Sequence, residues 1–158
     1  MRTIFLFLLS LTVLPLPALA ADITADTPWI RLVPGKTNGA GYFTITAPKD
    51  DALRAASSEC CGAVEIHEMA MDGERMRMRK VDSIPLEAGE PVEFEPMGYH
   101  LMFIGFHAAP LHATTVPVTL HFTSGASIDV PFTVKLVGQD NAGMPPAGHG
   151  HHHHGGHE

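Results

Sequence analysis

The feature that most constrains the fold is the spacing of apolar residues between positions 27 and 137. There they alternate with polar residues far more often than they recur at the 3.6-residue spacing of a helix. Gly, Pro, Asp and Asn interrupt the pattern at short intervals, as turn residues do. The pattern predicts an all-β domain, an antiparallel β-sandwich or barrel with no helix. We expect nine strands, near residues 29–33, 40–47, 53–58, 63–69, 75–81, 92–94, 100–105, 116–122 and 128–137.

The first twenty residues are typical of a secretory signal peptide. A basic residue, Arg2, precedes an apolar run over 4–16 and a small-residue motif over 18–20. The run is too short to span a bilayer of about 30 Å, so we expect cleavage after Ala20 rather than a retained anchor. The sequence therefore predicts an exported protein, in the periplasm, with no membrane span after cleavage.

The expected mature chain consists of one domain, residues 21–138, followed by a tail, residues 139–158. The tail is rich in Gly, Pro and His, has no apolar period and is expected to be flexible. Clustered imidazoles bind Cu(II), Ni(II) or Zn(II) near neutral pH. The alternative is a purification tag, although four consecutive histidines are short for one. The candidate tail ligands for Cu(II) are Met144, His149, His151, His152, His153, His154 and His157.

Charge argues against one class of partner. The chain has 10 basic and 17 acidic side chains and no basic patch, so nucleic acid is not an expected partner.

Methionine and histidine are concentrated in three predicted strands, of which 63–69 carries His67. Met76 and Met78 alternate with arginines, which implies a partly exposed hairpin, and His100 and Met102 share the strand face opposite Leu101. Methionine also serves as core filler. Thioethers, however, are neutral, soft donors that among biological metals suit Cu(I) best. The candidate Cu(I) ligands are His67, Met78, His100 and Met102.

The joint spacing of these four residues resembles that of the PCuAC family of periplasmic copper chaperones. Ten residues separate His67 from Met78, twenty-one separate Met78 from His100, and one separates His100 from Met102. The segments 38–45, 64–68, 76–81 and 98–103 add to the resemblance. It implies a cupredoxin-like Greek-key β-sandwich, a ligand role for these four residues, and a Cu(II)-binding extension in some members.

The resemblance also implies a destination for the copper. Family members are thought to carry it toward the CuA site of cytochrome c oxidase, sometimes with Sco-type thiol proteins. The alternatives are a storage or resistance protein that keeps its copper, and a tail-centred carrier of zinc or nickel. An enzyme is not expected. A blue-copper electron carrier is disfavoured because it needs a cysteine thiolate beside two histidines, and the only cysteines, Cys60 and Cys61, precede His67.

Several other residues are weaker candidates for a role at the copper site. Cys60 and Cys61 could form a vicinal disulfide, cross-link two chains, or supply thiolates to copper. Trp29 could shield the site, but an aromatic residue on a strand is more often part of the core. The remaining candidates are possible alternative donors (Met69, Met71, Met76 and Met97), a hard carboxylate (Glu68), and histidines expected at the surface (His107, His112 and His121).

Overall fold

The computed structural model describes residues 22–108, 110, 112 and 114–138, and these form β-strands joined by turns. The predicted signal peptide and the histidine-rich tail lie outside the described residues. No helix long and apolar enough to cross a membrane occurs in the described part. The strands are β1 (Thr24–Leu32), β2 (Gly39–Thr46), β3 (Asp51–Ser57), β4 (Cys61–Asp72), β5 (Arg75–Lys80), β6 (Ile84–Leu86), β7 (Pro91–Phe94), β8 (Tyr99–Phe106), β9 (Thr115–Phe122) and β10 (Ser127–Leu136).

The prediction of an all-β domain is confirmed, and the nine expected strands are all present. The tenth, β6, was missed because it has three residues with a proline in the middle, too few to show alternation. The largest differences in length are in β1 and β4, with 9 and 12 residues. β1 begins at Thr24, and β4 continues to Asp72, where it meets the turn into β5.

The ten strands form one sheet in the order β5-β4-β8-β7-β2-β1-β10-β9-β3-β6, in which β8 also pairs directly with β2. Most neighbours are antiparallel, but β1 runs parallel to β10 and β7 runs parallel to β8. The inward side chains of both halves of the sheet meet in one apolar core. Phe43, Phe103 and Phe132 lie at its centre, with ring centroids 5.4 Å apart for Phe43 and Phe132 and 6.1 Å for Phe103 and Phe132.

Alternation along β8 separates the core from the outer face of the sheet. Leu101 and Phe103 are fully buried in the core, so His100 and Met102 project from the other face, as predicted. The alternation breaks at Gly105, whose φ of 68° is a left-handed conformation. Beyond it, Phe106 joins the core and stacks on Phe103 with ring centroids 5.7 Å apart.

The hairpin between β4 and β5 is tight. Asp72 pairs with Arg75, so only two residues form its loop. The first of them, Gly73, has a φ of 63°, which a two-residue hairpin with glycine in this position requires. All residues of β5 are exposed, and β5 lies at one end of the sheet order. The hairpin therefore extends the outer face beyond the core.

Candidate metal site

Two histidines lie side by side on the outer face. His67 of β4 is the direct cross-strand partner of His100 of β8, and their ring centroids are 5.8 Å apart at an interplanar angle of 61°. His100 is 4% exposed, and the side chain of His67 is 14% exposed. The antiparallel register thus brings together two residues that are 33 positions apart in the sequence.

The hydrogen bonds of the two rings fix which nitrogen of each is free. His67 donates from Nε2 to Glu65 Oε2 at 2.8 Å, and His100 donates from Nδ1 to the carbonyl oxygen of Gly98 at 3.2 Å. The remaining nitrogens, His67 Nδ1 and His100 Nε2, are buried and have no hydrogen-bond partner among the described residues. An unpartnered buried acceptor costs about 1–3 kcal/mol. Two of them on adjacent rings indicate a place where a ligand completes the site.

The electrostatics keep His100 available as a lone-pair donor. Burial lowers the pKa of His100 below its usual value, the Gly98 carbonyl opposes that shift, and the neighbouring His67 adds to it. The ring therefore stays neutral at a pH where an exposed histidine would begin to take up a proton. A neutral imidazole is the form that binds a metal.

Glu65 supports His67 from the same strand face. Its Oε1 accepts a hydrogen bond from Lys80 Nζ at 2.8 Å while Oε2 holds the histidine. The Lys80 hydrogen bond, followed by that of His67, lowers the pKa of the Glu65 carboxyl. This residue was not predicted. Its position two residues before His67, on the same face of a strand, is the signal that could have identified it.

The two predicted methionines reach a shared cleft next to the histidines. Met102 lies two residues beyond His100 on the same face of β8, whereas Met78 is on β5, opposite Met69. Both side chains line a cleft of about 280 Å³ together with Tyr42 and Arg31. The centroid of the Tyr42 ring also lies 6.5 Å from that of His100. Tyr42 therefore lines the cleft and lies beside the histidine pair.

Trp29 lies on the outer face, so the expectation that it belongs to the core is wrong. It packs on Tyr42 with ring centroids 4.8 Å apart, and Lys135 Nζ lies 4.7 Å from its ring. Cross-strand pairing of Trp29 with Tyr42 puts both rings on the face of the histidines. Tyr42, which was not singled out from the sequence, is buried and shields His100; burial also raises its pKa.

Carboxylates and thiols do not complete the site. Among the described residues there is no group of three or more His, Cys, Asp or Glu side chains placed to hold a metal. Glu68 lies on the opposite face from His67 and bonds to Arg79. Among the described residues, the soft donors that line the neighbouring cleft are the thioethers of Met78 and Met102.

The cysteines are separate from this face. Both are free thiols, which contradicts a vicinal disulfide in this structure. Cys61 is buried in the core, and burial, reinforced by Cys60, raises the pKa of its thiol to about 12. It lies six residues from His67 along β4, about 20 Å at the rise of a strand. As a protonated and distant thiol, Cys61 does not contribute to the histidine site.

The remaining histidines are also apart from the pair. His107 and His112 are exposed, as expected, and His112 Nδ1 accepts a hydrogen bond from the backbone nitrogen of Leu136 at 3.2 Å. His121 is half-buried on β9, where its two ring nitrogens lie 2.9 and 3.0 Å from the hydroxyls of Ser57 and Ser127. The tail candidates, Met144 and the histidines of 149–157, lie outside the described residues.

Comparisons with known structures identify the class of domain. A PCuAC domain from PmoF2, described as copper-bound, matches with a TM-score of 0.61 and 21% identity, covering 73% of this chain and 94% of that one. The apo form of DR1885 from Deinococcus radiodurans matches at 0.57 and 23%, covering 85% and 95%. Its Cu(I) form matches at 0.50 and 25%, covering 76% and 79%. The fold is thus the cupredoxin-like β fold of PCuAC domains.

A family model, described as "Putative lipoprotein LpqE-like", matches residues 23–134. The chain therefore belongs to this LpqE-like, or PCuAC, family, and the resemblance found in the sequence is confirmed. Among curated protein sequences, none matches the chain.

Proposed function

We propose that this protein is a copper carrier that binds Cu(I) through His67, Met78, His100 and Met102. The observation that supports this most directly is the pair of buried imidazole nitrogens, His67 Nδ1 and His100 Nε2, that lack partners on adjacent rings. Solved PCuAC domains from other proteins are described as copper-bound and as the Cu(I) form. Copper is the cargo in this proposal, and the protein supplies the donors.

The chemistry of the donors favours the monovalent ion. Two neutral imidazoles and two thioethers form a soft set that suits Cu(I), whereas Zn(II) and Ca(II) prefer thiolate, nitrogen or oxygen ligands. Thioethers have no proton to lose, so only the imidazoles make the affinity depend on pH. The depressed pKa of His100 extends binding toward mild acidity.

Exposure of the donors favours transfer rather than permanent storage. His100 is buried, the side chain of His67 is 14% exposed, and Met78 is 49% exposed. An acceptor could displace Met78 first, because that thioether is accessible and neutral, while the histidines still hold the ion. A copper store would be expected to enclose its donors more evenly.

The proposed cellular role is supported by the predicted signal peptide and by the family. Export by the predicted signal peptide would place the protein in the periplasm. There the acceptor would be a copper protein such as the CuA subunit of cytochrome c oxidase or a Sco-type protein. The tail, through Met144 and its histidines, would capture Cu(II). The second candidate is a storage or resistance protein, which would use the same site without delivering the metal.

X-ray absorption on the protein loaded with one equivalent of Cu(I), with and without residues 139–158, tests the site. We expect two nitrogen and two sulfur neighbours in both forms, and loss of nitrogen neighbours in His67→Ala. His121→Ala is the matched control, because this histidine lies on β9 and bonds to serines. A coordination shell of nitrogen alone, or Cu(I) binding that disappears with the tail, would contradict the four-residue site.

A transfer assay separates the carrier from the store. The Cu(I) form is mixed anaerobically with an apo CuA domain or a reduced Sco-type protein, the two proteins are separated, and the copper content of each is measured by atomic absorption. A carrier delivers its copper within minutes of mixing. Retention of copper by this protein, despite a tighter-binding acceptor, would favour storage.

A further inference from the structure

The exposed methionines of the β4–β5 hairpin form a group that the four-residue site does not use. Met71 is 63% exposed and Met76 is 41% exposed, although large apolar side chains are usually covered. Neither belongs to the apolar core or to the cluster packed against it. Core packing therefore does not explain why methionine occupies these positions.

The strand register collects these side chains on one face. Met69 is the cross-strand partner of Met78, and Met71 is the partner of Met76. Direct partners have Cβ atoms about 4.5–5.5 Å apart, and residues two apart on one strand lie about 7 Å apart on the same face. Four thioethers thus form two adjacent rungs, which we call the methionine ladder: Met69, Met71, Met76 and Met78.

The opposite face of the hairpin holds this arrangement in register. Arg79 bonds to Glu68, and Arg77 Nε lies 2.8 Å from Asp72 Oδ2. These ion pairs join β4 to β5 behind the ladder and offset two of the positive charges of β5. The tight Gly73 turn closes the end of the hairpin. The flexible thioethers are therefore carried by a backbone whose pairing is fixed.

We propose that Met69, Met71 and Met76 form a second site for a soft monovalent cation, Cu(I) or Ag(I), held by thioethers alone. Three such side chains, each with three rotatable bonds, can turn their sulfur atoms toward one ion between the two rungs. The site lies between the hairpin loop and Met78, the most exposed donor of the proposed copper site. It would receive copper from solution or a partner and pass it to that site.

This inference does not need the histidine site to bind copper. The donors are different residues, and only Met78, which completes the inner rung of the ladder, is common to the ladder and the proposed copper site. A residue-specific measurement can therefore report on each site separately. Ag(I) is a suitable probe because it has the same softness and charge as Cu(I) and does not change oxidation state under assay conditions.

The test is an Ag(I) titration of the full mature chain labelled with ¹³C at the methionine methyl groups, followed by NMR. We expect the Met69, Met71 and Met76 methyl resonances to shift together, separately from those of Met102. In the double variant Met71→Leu and Met76→Leu, the Met69 shift should need more than about tenfold more Ag(I), since loss of even a supporting group costs a metal site that much. Leucine keeps the apolar bulk and removes the sulfur.

Met97→Leu is the matched control. Met97 is 63% exposed, as Met71 is, but it lies in the turn before β8 and in neither rung. Unchanged ladder shifts in this variant would support the assignment, whereas an equal loss would overturn it. The proposal is also overturned if the three ladder resonances stay in place while Met102 shifts. If Met102 stays and the ladder shifts, the second site holds and the four-residue site fails.

Discussion

Glu65 offers the sharpest test of how the copper site is organised, because it touches a proposed ligand without being one. Its carboxylate holds His67 Nε2 at 2.8 Å and leaves Nδ1 free to bind the metal. Groups that orient a metal-binding histidine typically contribute about 10- to 100-fold in affinity. The side chain of His67 is mostly buried, so few waters could replace the lost acceptor. We therefore expect Glu65→Ala to weaken Cu(I) binding by about 100-fold, the upper end of that range.

Glu65→Gln should be milder, by about tenfold, because its amide oxygen still accepts the hydrogen bond but has no charge to stabilise the ring. The assay is competition for Cu(I) with a chromophoric chelator of known affinity. Asp129→Ala is the matched control, because the Asp129 carboxylate also accepts a side-chain hydrogen bond from a neighbouring strand, from Thr119 Oγ1 at 2.7 Å, but lies on β10, away from the histidine pair. An equal loss in Asp129→Ala, or no loss in Glu65→Ala when His67→Ala abolishes binding, would refute an orienting role for Glu65.

Three further predictions concern the fold and are measured by urea denaturation. Asp51 accepts hydrogen bonds from the turn before β10, chiefly from Ser124, which lower the pKa of its carboxyl. That stabilisation is present above the unfolded pKa of about 3.9 and is lost as the pH falls through the folded value, so Asp51→Ala should destabilise at pH 7 and have little effect at very low pH. Met97 has a φ of 76°, so Met97→Gly should stabilise by about 1 kcal/mol, and a loss would show that its side chain makes compensating contacts. Gly41→Ala would place a Cβ 2.7 Å from Phe103 Cε2 and should cost about 1–3 kcal/mol; no cost would mean that the ring can move.

The sequence predicted the faces of strands better than their contacts. Alternation along β8 correctly separated Leu101 from His100, since a period of two needs no knowledge of the partner strand. The pairing of His67 with His100 could not be derived in this way, because it depends on the register between β4 and β8. The sequence also could not show which ring nitrogen of His100 is free. Its Nδ1 is bonded to the backbone carbonyl of Gly98, and a residue of any type could supply that carbonyl. Trp29 was misassigned because its residue type, an aromatic on a strand, was given more weight than its alternation with Ile30 and Leu32, which are buried in the core.

The proposed donors lie on the outer face of the sheet, and this placement has an energetic consequence for the fold. The core side chains, such as Phe43, Leu101 and Phe132, point away from the histidines, so most of the buried apolar surface is independent of the metal site. Cores accept many substitutions when volume and alternation are preserved. The matching structures share this fold at 21–25% identity.

Because the core is independent of the proposed site, Met78, which is 49% exposed, can be changed to leucine with little effect on the free energy of unfolding. Loss of Cu(I) affinity in Met78→Leu would then report loss of coordination rather than damage to the fold.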